Sequence, residues 1–373
     1  MAKATKEKVS KEKSILTQKS YDFLRNYINN PSPVGFESSG QKIWLRYLQQ
    51  FVNTTFTDPY GTAVGVINPE APFKVVIEAH ADEISWFVNY ITPEGLLYLK
   101  RNGGVDHQVA PGQRVLIHGK KGLVKAVFGW PAIHTRINST ETKEPQPKVD
   151  NLFLDTGART KKELEDLGVH VGAVVTYQDG FDELHFDYLI GRAFDNRIGG
   201  FMIAEVARLL KQNNKKLPFG LYIVNAVQEE VGLRGAEMIA RRIKPNIAII
   251  TDVTHDTHTP MINKIVEGDC SCGKGPSLAY GPAVHNKLLT IVQDVAEKKN
   301  IPLQHRAVSR STGTDTDSFA YANDGCPSVL ISIPLRYMHT TVEMLHKRDI
   351  EQTIQLMYET LLTLTPKTNL SYL

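Results

Sequence analysis

The stretch KVVIEAHADE, residues 74–83, begins as an apolar strand and ends in metal-ligand chemistry, on His80 and Asp82. Three other hydrophobic runs stop in the same manner. GLYIVNAVQEEVG (220–232) reaches Glu229 and Glu230, IAIITDVT (247–254) reaches Asp252, and SVLISIPLRYMH (328–339) reaches His339. Strands that are apolar almost throughout, as VVIEA, LYIVNAV and IAIIT are, suit a parallel sheet covered on both faces. Helix-forming segments alternate with them: DNRIGGFMIAEVARLLKQN (195–213), GLRGAEMIARRI (232–243), HNKLLTIVQDVAEKKN (285–300) and KRDIEQTIQLMYETLLTLT (347–365). The alternation predicts an α/β fold, a mostly parallel sheet flanked by helices.

Upstream, ILTQKSYDFLRNYIN (15–29) and SGQKIWLRYLQQFV (39–52) have apolar positions at helical spacing, separated by NPSPVGFES with its two prolines and a glycine. TAVGVI (62–67) reads as a strand. From about residue 86 the texture changes. YITPEGLLYLK, RVLIHGKKGLVKAVFG and VGAVVTYQ are short β-type runs between glycine turns, interrupted by one helical piece, TKKELEDLG. TRINSTETKEPQPKVDN (135–151) reads as an exposed loop. The expected organisation is a first part of one α/β domain over 1–85, a small inserted β-rich domain over 86–186, and the second part of the α/β domain over 187–373.

Composition narrows the class. In 373 residues, 42% hydrophobic and 22% charged content are those of a globular chain that can bury a large core. A net charge of +3 gives no reason to expect a nucleic-acid or membrane partner. Three cysteines, Cys270, Cys272 and Cys326, are too few for a disulfide framework and favour a reducing, cytoplasmic setting. No apolar run approaches the roughly 20 residues of a membrane helix. The start, MAKATKEKVSKEKS, carries five lysines with no hydrophobic segment behind them, so residues 1–14 read as a solvated, disordered tail rather than a signal.

In an open α/β sheet, ligands bind beyond the carboxyl ends of the strands. His80, Glu229, Glu230, Asp252 and His339 fall at or just past such ends, and Asp195 in RAFDNR sits where a helix begins. Taken singly, each has an ordinary explanation. A lone Asp at a helix start is usually a cap, a lone His is usually structural, and a Glu pair is usually solvated. Here the pair follows an apolar strand and precedes VGLRGA, so burial of at least one carboxylate is expected, and a buried carboxylate needs a partner. Imidazole plus carboxylate is the ligand set of zinc, with manganese and cobalt as substitutes. Five ligands serve two ions if one carboxylate bridges them, about 3.5–4 Å apart. Other motifs fail. GDCSCGKG (268–275) resembles a phosphate loop, but Gly275 stands where Ser or Thr would hold magnesium and Pro276 blocks the helix that should follow. Cys270 and Cys272 have no second pair to form a zinc finger and read as ordinary thiols near the site.

At these residues the chain resembles the dinuclear-metal aminopeptidase family that contains glutamyl aminopeptidase and the tetrahedral aminopeptidases, some of whose members carry the name endoglucanase. The matching segments run from about residue 15 onward: PSPVGFE, DPYGTAVG, EAHADEISWFV, LDTGARTKKELEDLGVHVG, AFDNRIGG, VQEEVGLRGA, TDVTHDT, GKGPSL, STGTDTDSF and IPLRYMHTTVEML. The resemblance implies a zinc-exopeptidase-like fold and a co-catalytic aminopeptidase that removes N-terminal residues from peptides. His80 and Asp252 would hold one divalent ion and Glu230 and His339 the other, with Asp195 bridging. Asp82 would orient His80, and Glu229 would be the general base on a metal-bridging water. The β-rich insertion would be a dimerisation domain, and dimers would build a homo-oligomer up to a hollow tetrahedral dodecamer. Two departures stand out: Asn196 where the family usually has a second aspartate, and Ser85-Trp86 where it often has Gly-Phe.

Three other readings compete. A related dinuclear-zinc deacylase or carboxypeptidase needs the same ligands, but the large insertion and the YMH ending favour the aminopeptidase. A non-catalytic, metal-stabilised homologue would normally have lost Glu229 or a ligand, and none is missing. Glycoside hydrolysis also needs two carboxylates, yet the sequence gives no sign of an aromatic sugar cleft and has only three tryptophans.

Overall fold

The computed structural model describes residues 14–136 and 145–373. The first 13 residues of the lysine-rich tail and positions 137–144 of the 135–151 loop lie outside the described residues.

The four runs that end in ligand-type residues are neighbours in the middle of an eight-stranded sheet. Its order is Thr54–Thr57, Ala63–Ile67, Gly220–Ala226, Lys74–His80, Ile247–His255, Ser328–Leu335, Ser277–Tyr280, Gln304–Ala307. The middle four are mutually parallel, so their carboxyl ends share one edge. The sheet is not parallel throughout. Ala63–Ile67 runs against Gly220–Ala226, and Ser277–Tyr280 runs against Ser328–Leu335. The first edge is a hairpin, and an antiparallel pair needs only a tight turn. Asp58 closes it, one carboxylate oxygen accepting the N–H groups of Tyr60, Gly61 and Thr62.

Helix Phe194–Gln212 lies on the sheet against Lys74–His80 and is covered by helices Gln18–Asn29, Ser38–Leu48 and Lys347–Thr363. Sixteen of its 19 residues are buried, and the polar ones among them are partnered: Glu205 with Arg208, Tyr47 and Ser20, and Arg197 with backbone carbonyls. Gly199 and Gly200 permit the close approach. A Cβ on Gly199 would stand 2.7 Å from Ala79 Cβ, and one on Gly200 would stand 2.7 Å from Asn225 Oδ1. Helices Arg234–Ile243 and Asn286–Lys298 complete the layers anticipated from the alternating pattern.

The β-rich segment forms a closed six-stranded antiparallel barrel in the order Ser85–Ile91, Leu97–Asn102, Phe153–Asp155, Gly122–Gly129, Arg114–Gly119, Val174–Tyr177. It has its own core around Trp86, Phe128 and Leu154. Helix Lys161–Asp166 interrupts it as expected, its N-terminus capped by the Thr160 hydroxyl, which accepts the Glu163 N–H. The fold is therefore the α/β sheet with a small inserted β module that the sequence implies. Among the described residues no helix is long and apolar enough to cross a membrane.

Candidate metal centre

At the carboxyl edge of the central strands the six ligand-type side chains meet. His80 Nε2 lies 3.2 Å from Asp195 Oδ1, 3.8 Å from Glu229 Oε2 and 3.9 Å from Asp252 Oδ1. His339 Nε2 lies 3.2 Å from the other Asp195 oxygen and 3.2 Å from Glu230 Oε1. Asp195 thus stands between two imidazoles and presents one oxygen to each. His80, Asp195 and Glu230 converge within 4.8 Å of one another, and so do His80, Glu229 and Asp252. Distance from His80 does not separate Glu229 from Asp252.

Local backbone explains the convergence. His80 ends its strand, while Asp252 sits inside Ile247–His255, three residues before the strand's last residue rather than at its end. Asp195 does not cap the helix, since no side-chain cap bond forms there. Its backbone (φ −74°, ψ 113°) is extended, and the neighbouring Asn196 does the capping, accepting the Gly199 N–H at 3.2 Å. Asn196 Nδ2 also donates to Thr251 O, next to Asp252, so this departure from the family pattern joins the two ligand segments. Ala193, Gln228, Leu233 and His339 have φ between 58° and 62°. Left-handed backbone costs a non-glycine residue about 1–3 kcal/mol; of the thirteen such residues among those described, these four flank or belong to the cluster. The other departure, Ser85-Trp86, lies in the barrel, where Trp86 is buried and donates to the Tyr177 hydroxyl.

Asp82 is fully buried beneath the cluster. Its two oxygens accept the N–H groups of Glu229 and Glu230, and Oδ1 lies 3.5 Å from His80 Nδ1. Two contacts were not foreseen from the sequence. Glu343 accepts the N–H of Asp195 on Oε2 and of His339 on Oε1. Gly104, from the turn after barrel strand Leu97–Asn102, accepts His339 Nδ1 at 3.0 Å on its carbonyl. A Cβ at Gly104 would stand 2.8 Å from that ring, so the turn must be glycine. The signal for Glu343 was an acidic residue between apolar neighbours in TVEML; for Gly104 it was only a Gly-Gly turn.

The electrostatics describe a site short of positive charge. Burial drives the Glu229 carboxyl up to about 10 and that of Asp252 up to about 7, and it raises Glu230 as well. Burial opposes charge on His80, yet Glu229, Asp195 and Asp82 hold its imidazole well above the usual range. His339 is desolvated too, but Asp195 and Glu230 lift it to about 12. Asp195 is buried, and the two histidines nevertheless hold its carboxyl low. Four converging carboxylates and two imidazoles, oxygen and nitrogen donors only, are a set that divalent ions of the zinc type fit.

The cluster forms the floor of a cleft of about 550 Å³ whose walls include Leu233, Val253, Arg306, Thr312 and Met338. Burial lowers the Arg306 pKa, and its Nε is buried with no hydrogen-bond partner among the described residues. Cys270, Cys272 and Cys326 are buried free thiols and do not line the cleft.

A sheet with this donor set at its carboxyl edge fits a metal-dependent hydrolase. Residues 61–356 match the model of the M42 glutamyl aminopeptidase family, and the chain belongs to that family. It is 32% identical to the lysyl aminopeptidase of Pyrococcus furiosus over 93% of this chain and 98% of that one. The TET aminopeptidase of a marine-sediment thaumarchaeon superposes with a TM-score of 0.89 at 30% identity, over 94% of this chain and 98% of that one. The TET1 peptidase of Pyrococcus horikoshii, which can assemble into a tetrahedron or a large octahedral shell, superposes with a TM-score of 0.80 at 26% identity, over 91% and 98%. The chain is accordingly an aminopeptidase.

Proposed function

We propose that this chain is a dinuclear aminopeptidase that trims short peptides from the N-terminus in the cytoplasm. The observation that carries the reading is Asp195, one oxygen 3.2 Å from each of His80 and His339, the disposition a bridging carboxylate needs. His80 and Asp252 would hold one ion, Glu230 and His339 the other. Two divalent ions, zinc first and cobalt or manganese as substitutes, would supply a water acidic enough to attack at neutral pH and a Lewis acid for the scissile carbonyl. Asp82 orients His80 through Nδ1, as metal-bound histidines require.

Glu229 is the general base, its carboxyl ionised once two cations offset the burial that otherwise drives it up. It takes a proton from the attacking water and passes it to the departing nitrogen, the double role open to a positioned carboxylate. Its side chain lines the cleft, where a base must meet the attacking water. Arg306 offers its guanidinium to an acidic side chain on the N-terminal residue, because no carboxylate of the described residues pairs with it. The barrel exposes Leu123, Val127 and Val171, which supports a dimer face there and, by likeness to the TET shells, a dodecamer. The buried free thiols support a reducing compartment.

A panel of aminoacyl p-nitroanilides, assayed after chelation and after return of zinc, cobalt or manganese, tests this reading. Hydrolysis is expected only with metal restored. Turnover undiminished by chelation would overturn it.

A further inference from the structure

Glu343 is a carboxylate on the two-way path between ligands, and its surroundings explain why. It opens the short strand Glu343–His346, which pairs with Tyr188–Gly191 so that Glu343 faces Gly191, four residues before Asp195. The register therefore sets its side chain beneath both ligand segments. Only 1% of the residue is exposed. Oε2 accepts the Asp195 N–H at 3.0 Å and Oε1 accepts the His339 N–H at 2.9 Å. Both donors sit on backbone that regular structure does not hold: Asp195 is extended at the head of a helix, and His339 has φ +62°. The His339 side chain is 30% exposed; Gly104 O holds its ring at Nδ1, and Asp195 and Glu230 face its Nε2 at 3.2 Å each.

We propose that Glu343 is a positioning residue of the metal centre, one buried carboxylate that fixes the bridging Asp195 and the terminal ligand His339 relative to each other. The inference rests on the dinuclear reading above. Two N–H groups need two acceptors in a fixed spacing, which a carboxylate supplies and an amide does not. In Glu343→Gln one oxygen becomes an NH2 aimed at an N–H, so one of the two segments is released.

The test is a competitive titration of the metal-free protein with zinc or cobalt against a chromophoric chelator, for wild type, Glu343→Gln and Glu343→Asp. Wild type should bind two equivalents. In Glu343→Gln at least one equivalent should weaken roughly 10–100-fold, the usual effect of removing an outer-shell partner, and both should weaken where the bridging Asp195 is the segment released. Glu343→Asp, which keeps both oxygens on a shorter arm, should recover part of the loss. Metal-free Glu343→Gln should melt within a few degrees of metal-free wild type. Two equivalents bound at wild-type affinity by Glu343→Gln would overturn this inference alone. A melting point of the metal-free variant depressed as far as that of the loaded one would also overturn it, by making the role structural. Wild type that binds no metal would overturn the dinuclear reading itself.

Discussion

Asp82 Oδ1 accepts the backbone N–H of Glu229 at 3.0 Å, so the buried carboxylate beside His80 also fixes the chain that carries Glu229. The second oxygen does the same for Glu230, and Oδ1 faces His80 Nδ1 at 3.5 Å. One carboxylate thus holds the backbone of two members of the cluster and lies against the ring of a third. Asp82→Asn keeps the shape but gives one of those partners an NH2. Metal affinity should fall about 10–100-fold, read by chelator competition, and restored metal should not restore full kcat. Wild-type affinity and kcat in Asp82→Asn would remove Asp82 from the centre.

Glu229→Gln separates chemistry from binding. The amide cannot take a proton from water, so kcat should drop by roughly 10²–10⁴, the range for a lost general acid–base. Metal content by elemental analysis and the oligomeric state by light scattering should both be unchanged. Full activity in Glu229→Gln would sink the assignment. Loss of one ion in this variant would instead identify Glu229 as a ligand, a distinction that its distance from His80, like that of Asp252, does not make.

Away from the ligands, Glu37 gives a pH prediction with a definite sign. Burial and the nearby Asp82 charge push its carboxyl from 4.5 up to about 7. The native state therefore holds a proton that the unfolded chain releases. The resulting stability is fully present below pH 4.5 and is lost as pH rises toward 7, a total of about 3 kcal/mol at one pKa unit per 1.36 kcal/mol. Glu37→Gln mimics the protonated form and retains an acceptor for the Gly35 N–H that Glu37 now receives. Urea unfolding of metal-free protein at pH 5 and pH 8 should show wild type losing stability across that interval more steeply than the variant. Equal slopes would mean that Glu37 stays ionised when folded.

The sheet and its site edge were legible because a buried parallel strand must be apolar, so a charged residue ending such a strand stands out. His80, Glu230 and His339 were found that way, and Asp195 by standing at a helix start in a motif. Less visible were residues whose task depends on contacts across long sequence separations. Glu343 touches Asp195 from 148 positions away, and Gly104 touches His339 from 235 away. No local pattern encodes either partner. The antiparallel edges were hidden for a related reason: direction follows from connection length, and the Asp58–Gly61 turn is short where a parallel crossover would need a helix. Arg306 lay on a strand in which only alternate residues are shielded, and nothing in QHRA marks which side chain turns to the cleft.

Arg306 makes substrate choice testable. A half-buried guanidinium without a partner at its Nε is costly to leave unmatched, and a carboxylate from the N-terminal residue would pair with it. Glutamyl and aspartyl p-nitroanilides should therefore exceed lysyl p-nitroanilide in kcat/KM. These substrates have no C-terminal carboxylate, so the preference they report belongs to the N-terminal side chain. Arg306→Glu should invert the order, since the cleft would then repel an acidic residue and attract a lysine. A hydrogen bond to a charged group contributes about 1.5–3 kcal/mol, which corresponds to a change of roughly 10–150-fold in the ratio of the two kcat/KM values at about 1.4 kcal/mol per tenfold. Activity on leucyl p-nitroanilide should change little in the same variant, which guards against a general loss of fold. Comparing dipeptides with their C-terminal amides identifies the other source of a carboxylate. A ratio that depends on the free C-terminus, with no acidic preference among the anilides, would assign Arg306 to the far end of the peptide and refute an acidic N-terminal pocket.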